Sequence, residues 1–315
     1  MLLNIVYIIV GVAIVLWGAD RLTDGAVGLA TKMNIPQIVI GLTVVAMGTS
    51  MPEFFVSLVS AINGTPDLAV GNVVGSNIFN ALLIVGTAAT VASMVISKST
   101  VKKDIPFAVL ASVLLFVFGY DNNISRIDAA ILTVVFVIFM VYTVRTGIKG
   151  SSEPNDDTEK EETKPLPVWK AILFVILGLA CLIFGSNLFV NAATEVATQL
   201  GVSQAIIGLT IVAGGTSLPE LATSVVAARK GRSAIAMGNV IGSNVMNILM
   251  IIGITGIISP MKVEGITIID LLVLLASVVL LWLFSYTKYR VERWEGIVLL
   301  AIFAGYMSWL ISCAI

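Results

Sequence analysis

The sequence predicts an all-α membrane protein of ten transmembrane helices, arranged as two inverted five-helix repeats with helices broken at the midplane. Three observations predict it: a composition that water cannot solvate, apolar stretches of bilayer length, and two sequence blocks that return at one fixed offset. Of 315 residues, 58% are hydrophobic and 12% charged, against about 25% charged in soluble domains. So few charges cannot cover a water-facing surface, so lipid is the expected solvent for most of the chain. The net charge of −1 offers no basic field to nucleic acid. Histidine is absent, which removes His triads, His metal sites and His proton relays. Cys181 and Cys313 both lie in apolar runs, so a disulfide framework is not expected.

Spans are expected at 2–19, 36–61, 69–94, 105–120, 127–145, 169–189, 203–228, 235–258, 266–285 and 295–313, each near the 20 or so residues a bilayer core requires (about 20). The first has no Lys or Arg before it and no small-residue cleavage site after Trp17, so it reads as a retained span rather than a signal peptide. With the N-terminus outside, sixteen of the 18 Lys and Arg residues fall on the inner side, and only Arg126 and Lys262 fall outside. The positive-inside rule therefore places both termini externally in the cell membrane. Residues 148–167 are foreign to this pattern: Glu153, Asp156, Asp157, Glu159, Glu161 and Glu162 crowd a stretch whose large apolar residues are Ile148 and Leu166 at its ends. They form a hydrophilic, cytoplasmic linker between a first repeat at 1–147 and a second at 168–315. The linker lacks the ligand spacing of an EF-hand.

The halves are copies. Ile40-Gly-Leu-Thr-Val-Val-Ala-Met-Gly-Thr-Ser-Met-Pro-Glu53 returns as Ile207-Gly-Leu-Thr-Ile-Val-Ala-Gly-Gly-Thr-Ser-Leu-Pro-Glu220, with eleven of fourteen positions identical at an offset of 167. Gly71-Asn-Val-Val-Gly-Ser-Asn-Ile-Phe-Asn80 returns as Gly238-Asn-Val-Ile-Gly-Ser-Asn-Val-Met-Asn247 at the same offset. Five spans per copy is an odd number, so the second copy must cross the membrane in the opposite sense, as in many secondary transporters.

Glu53 and Glu220 are the only acids deep inside apolar spans. A carboxylate at the bilayer centre costs several kcal/mol, on the order of 3, and no Lys or Arg lies at that depth to offset it. A cation is the simplest remaining counter-charge. Pro52 and Pro219 lack an N–H, so the carbonyls of Gly48 and Gly215 lose their helical partners and each span should break there. Ser50 lies three residues before Glu53, on the same helical face, with Thr43 seven before Ser50; Ser217 and Thr210 repeat this around Glu220. The donors are all oxygens, which suits Ca2+ and Na+. Asn72, Ser76 and Asn80, like Asn239, Ser243 and Asn247, form a stripe at i, i+4, i+8. Asn72 and Asn239 either tie helices by hydrogen bonds or face the carboxylates, while Gly71 and Gly75 allow close helix approach. One Ca2+ or two Na+ would neutralise two carboxylates, and binding one set but not both is what coupled exchange requires.

At these residues the sequence resembles the cation/calcium exchanger superfamily, most closely prokaryotic sodium/calcium exchangers. The paired Gly-Thr-Ser-x-Pro-Glu and Gly-Asn-x-x-Gly-Ser-Asn blocks look like that family's alpha repeats. The resemblance implies that Glu53 and Glu220 bind Ca2+ with backbone oxygens of Thr49 and Thr216. It implies Na+ sites from the Ala46 carbonyl, Thr49, Ser50, Glu53 and Ser243 toward one side, and from the Ala213 carbonyl, Thr216, Ser217, Glu220 and Ser76 toward the other. Asn80 and Asn247 would line the middle, and the first and sixth spans would slide across the core. An amide at Asn247, where potassium-dependent members and some potassium-independent prokaryotic ones carry Asp, resembles the potassium-independent animal-type pattern and argues against K+ co-transport. The implied substrates are Na+ and Ca2+, the medium is the lipid bilayer, and no cofactor, nucleic acid or obligate protein partner is expected. A proton/calcium antiporter and a cation channel are the alternatives. An enzyme is not expected, since neither His nor a Gly-x-Ser-x-Gly elbow is present.

Overall fold

The computed structural model describes residues 1–150, 166–201, 211, 213–263 and 265–314. Most of the linker, Thr210 and the opening of the expected span 203–228 lie outside the described residues. The described residues are mostly helical, with α1 Leu2–Met33, α2 Gln37–Thr49, α3 Met51–Ile62, α4 Pro66–Val91, α5 Ile105–Gly119 and α6 Arg126–Gly150 in the first half. The second half holds α7 Val168–Gln199, α8 Ala213–Thr216, α9 Leu218–Arg229, α10 Ser233–Ile258, α11 Ile268–Tyr286 and α12 Arg293–Ala314. Among the described residues, seven helices are long and apolar enough to cross a membrane, eight if α2 and α3 count as one bent span. Helix α5 misses that count because it has 15 residues, about 22 Å at 1.5 Å each. A π-helical turn at Thr100–Asp104 leads into it.

Helix α1 runs well beyond the apolar stretch 2–19 because its next charges are paired: Asp20 and Asp24 meet Lys230 and Arg232 across the packing interface. It ends at Asn34, whose left-handed backbone (φ 52°) is one that Asn adopts at small cost. The α2–α3 pair bends by 47° at Ser50, where φ −85° and ψ 6° leave the helical region. Pro52 supplies the fixed φ that starts the next helix. Ser217 repeats the same break between α8 and α9 with φ −87° and ψ 4°.

The correspondence at 167 extends to details that sequence identity does not reach. Two-residue strands β1 Met94–Val95, β2 Asn123–Ile124, β3 Met261–Lys262 and β4 Arg290–Val291 form two antiparallel pairs, β1 with β4 and β2 with β3. Met94 faces Val291 while Ile124 faces Met261, so each pair is the other with the halves exchanged. Helices α1 and α7 pack along their length through glycine. A Cβ on Gly11 would lie 2.9 Å from the Gly185 carbonyl, one on Gly18 2.9 Å from that of Gly178, and one on Gly25 2.7 Å from that of Ala171. The partners descend as the first numbers rise, so the two helices run antiparallel, and backbone-to-backbone approach needs residues without bulk.

The surface is apolar, and within an apolar core lies a group of buried polar residues. Leu2 is 80% and Ile127 73% exposed, while Glu53, Glu220, Asn80, Asn239, Ser243 and Asn247 are buried. Helix α10 is the centre of the fold. Gly238 on it sits where a Cβ would come 2.8 Å from the Ile38 carbonyl and 2.9 Å from the Gly41 Cα, both rigid backbone. Gly238→Ala is therefore expected to destabilise by about 1–3 kcal/mol. Gly305→Ala on α12, with nothing within 4 Å of its Cβ, should be neutral or stabilising by up to about 1 kcal/mol. Thermal unfolding in detergent of the two variants checks the contrast, and equal midpoints would refute this packing.

Candidate functional site

The two helix breaks put the acids at the starts of α3 and α9, and hydrogen bonds then cross between the halves. Ser50 Oγ donates to Glu220 Oε1 at 3.0 Å, and Ser217 Oγ donates to Glu53 Oε1 at 3.3 Å. Ser243 Oγ donates to the same Glu220 oxygen at 3.5 Å. The sequence reading groups Ser50 with its own Glu53, three residues on, and Ser243 with both. Instead, the non-helical backbone at Ser50 breaks that common face, and both hydroxyls reach Glu220. Thr43 is likewise turned away: it lies in a π-helical stretch, Gly41–Val45, and donates to the Val39 carbonyl at 2.6 Å.

Asn72 and Asn239 tie helices together. Asn72 Nδ2 donates to the Glu53 carbonyl (3.1 Å) and to Ser57 Oγ (2.9 Å). Asn239 Nδ2 donates to the Glu220 carbonyl (3.3 Å) and Ser224 Oγ (3.0 Å), and its Oδ1 accepts from Thr49 Oγ1 at 3.0 Å. Each amide therefore clamps the first turn after a break, fixing where the carboxylate points. Ser57 and Ser224 complete the clamps by donating to the carbonyls of Ala69 and Ala236. Sequence reasoning missed both serines, although they too stand 167 apart and four residues after each Glu. The Ala46 carbonyl accepts from the Ser50 N–H at 3.0 Å and from Thr49 Oγ1 at 3.4 Å. Ala213 and Thr216 bound α8.

The remaining predicted residues carry unspent polar capacity. Glu53 Oε2, Glu220 Oε2, Ser76 Oγ and both amide atoms of Asn80 and Asn247 are buried, with no hydrogen-bond partner among the described residues. An unsatisfied buried polar group costs about 1–3 kcal/mol, so native interiors hold few of them. Those of Glu53, Asn80, Glu220 and Asn247 form pairs 167 residues apart, while others, such as Thr143 Oγ1, Ser186 Oγ and Thr255 Oγ1, lie elsewhere. Asn80 and Asn247 lie in π-helical segments, Phe79–Ile84 and Met246–Ile252, a wider winding that appears frequently at functional sites. Neither Glu forms a salt bridge among the described residues, and no cluster of three His, Cys, Asp or Glu exists there. Two carboxylates with amide, hydroxyl and carbonyl oxygens are hard-cation chemistry, suited to Ca2+ or Na+ as a transported substrate.

A family model described as sodium/calcium exchanger protein matches the chain twice, at residues 3–145 and 170–312, again 167 apart. The chain belongs to the sodium/calcium exchanger family. It is thus a multi-pass membrane protein and a cation/Ca2+ antiporter by family. The exchanger is 39% identical over 99% of its length, and all of the relative's, to a putative antiporter, CaxA, of Alkalimonas amylolytica. It is 31% identical, over 96% of its length and 97% of the relative's, to the sodium/calcium exchanger MaX1 of Methanosarcina acetivorans. Among solved structures it resembles the sodium-calcium exchanger NCX_Mj soaked with Na+ and Ca2+, with a TM-score of 0.85 at 31% identity over 98% of both chains.

Proposed function

We propose that this exchanger moves Na+ against Ca2+ by alternating access to one midplane site built on Glu53 and Glu220. The observation that carries the reading is the pair of buried carboxylates, unpaired by any base among the described residues, each bonded by a serine of the other half and each keeping one free oxygen. One Ca2+ or two Na+ would balance the pair, so the two loads compete for the same charge. The proposed ligands are those carboxylates with Ser50, Ser217, Ser76, Ser243, Asn80, Asn247, the Thr49 and Thr216 oxygens and the Ala46 and Ala213 carbonyls. Ten spans in two inverted repeats, with both termini outside and the linker cytoplasmic, complete the proposal. The antiparallel α1–α7 seam and the exchanged strand pairs support the inversion, and sixteen inward Lys and Arg support the orientation. Reconstituted vesicles loaded with Na+ should take up Ca2+ when external Na+ is removed with pH clamped on both sides. Uptake driven by a proton gradient alone would replace Na+ coupling with H+ coupling, and Ca2+ current without counter-ion exchange would make the protein a channel.

A further inference from the structure

A cluster of charges joins α1 to the turn between α9 and α10. Lys230 Nζ bonds Asp20 Oδ1 at 2.5 Å and Asp24 Oδ1 at 2.9 Å, and Arg232 Nη1 bonds Asp24 Oδ1 at 2.6 Å. Arg21 closes the group against Asp20 at 2.9 Å and stands 5.2 Å over the Phe174 ring of α7. The Arg232 side chain is 10% and that of Asp24 23% exposed, so these pairs are partly withdrawn from water, where charge pairs hold more strongly than at an open surface. The cluster exists at one end of the pseudo-two-fold only. At the offset of 167, Asp20 and Asp24 correspond to Asn187 and Asn191, and Lys230 and Arg232 to Asn63 and Thr65. Every charge has a neutral counterpart at the opposite face, although the helices themselves match.

The cluster also spans a mechanical division. In their most apolar windows α1 and α7 are 22% and 28% buried, against 83% for α10. The antiparallel α1–α7 pair thus faces lipid on one side and packs on the other, through Ala19, Leu22 and Ala26, against the core that holds the acids, and the ion pairs fasten it there at one face. We infer that Asp20, Asp24, Lys230 and Arg232 form an ionic latch that holds the ion pathway closed at the face carrying the α9–α10 turn, the inner face by the charge distribution. The unlatched opposite face then opens at lower cost, so the resting protein presents its site there. This rests on the alternating-access reading proposed above.

Hydrogen exchange and transport, measured on the full-length protein in oriented vesicles, test the latch. Asp24→Asn and Lys230→Met should each speed amide exchange across residues 226–236 about tenfold while leaving the matching turn at 59–69 unchanged. Each should also lower, about tenfold, the Ca2+ concentration that half-saturates transport from the latch face. The double variant should fall short of the sum of the two singles, because the Asp24–Lys230 pair is lost in both while Lys230–Asp20 and Arg232–Asp24 are each lost in only one. Asp24→Glu, which keeps the charge, should retain slow exchange and reports on the latch if the neutral variants fold poorly. Unchanged exchange and unchanged sidedness, or fully additive effects, would overturn the latch. Faster exchange in a protein that does not couple Na+ to Ca2+ would sustain it while removing the antiport reading.

Discussion

Glu53→Gln or Glu220→Gln should abolish Ca2+ exchange while leaving the protein folded. Each substitution removes one of the two charges that the proposed site offers a divalent ion but keeps the side-chain shape and an oxygen able to accept from Ser217 or Ser50. One charge pair at about 4 Å and an effective dielectric near 20 is worth about 4 kcal/mol, about a thousandfold in affinity. Stability without ions should hold or rise, since a buried carboxylate no longer has to be desolvated. What should vanish is the added stability from Ca2+, which follows RT ln(1 + [Ca2+]/Kd). Thermal unfolding with and without Ca2+, beside vesicle uptake, separates the two effects. Retention of both uptake and the Ca2+-induced shift in either variant would remove that acid from the site.

The next largest effect is expected at the helix breaks. Pro52→Ala and Pro219→Ala restore an N–H that the carbonyl four residues earlier can accept, and they release the fixed φ that starts α3 and α9. Interior prolines cost a continuous helix about 3 kcal/mol, so their removal favours one straight span over the 47° bend. Straightening returns Ser50 to the face of its own Glu53 and withdraws it from Glu220. Transport should fall about a hundredfold in each variant, with thermal stability equal to the parent or higher. A stable variant that still exchanges normally would show that Ser50 and Ser217 hold the break without proline.

Much of this was legible in the chain itself. The offset of 167 is written in two blocks, and the structure carries it into helix ends, strand pairs and π-helical segments. The breaks follow from proline chemistry, which acts within one turn and so is readable locally. Helix lengths were less legible: α1 outruns its apolar stretch because Asp20 and Asp24 are met by Lys230 and Arg232, remote in sequence, while the polar end of α7 bonds within itself, Thr198 to the Thr194 carbonyl and Gln199 to Glu195. The polar stripe Asn72, Ser76, Asn80 assumed 3.6 residues per turn throughout, and the π-helical segment beginning at Phe79 alters that winding before the stripe ends.

What could be read along the chain alone is that lipid is its solvent, that two blocks return at an offset of 167, and that Glu53 and Glu220 sit in apolar stretches with no Lys or Arg at comparable depth. Composition, periodicity and proline act over a few residues or over the whole chain, and both scales can be read without coordinates. Only the tertiary structure decided that Ser50 serves Glu220, that Ser217 serves Glu53, that Asn239 clamps both a threonine and a broken helix of opposite halves, and that Asp24 is held by Lys230 and Arg232. Apart from Asn239 and the Glu220 carbonyl, those partners lie 164 to 208 residues apart, and which oxygen faces which is set by how the helices of the two halves pack against each other.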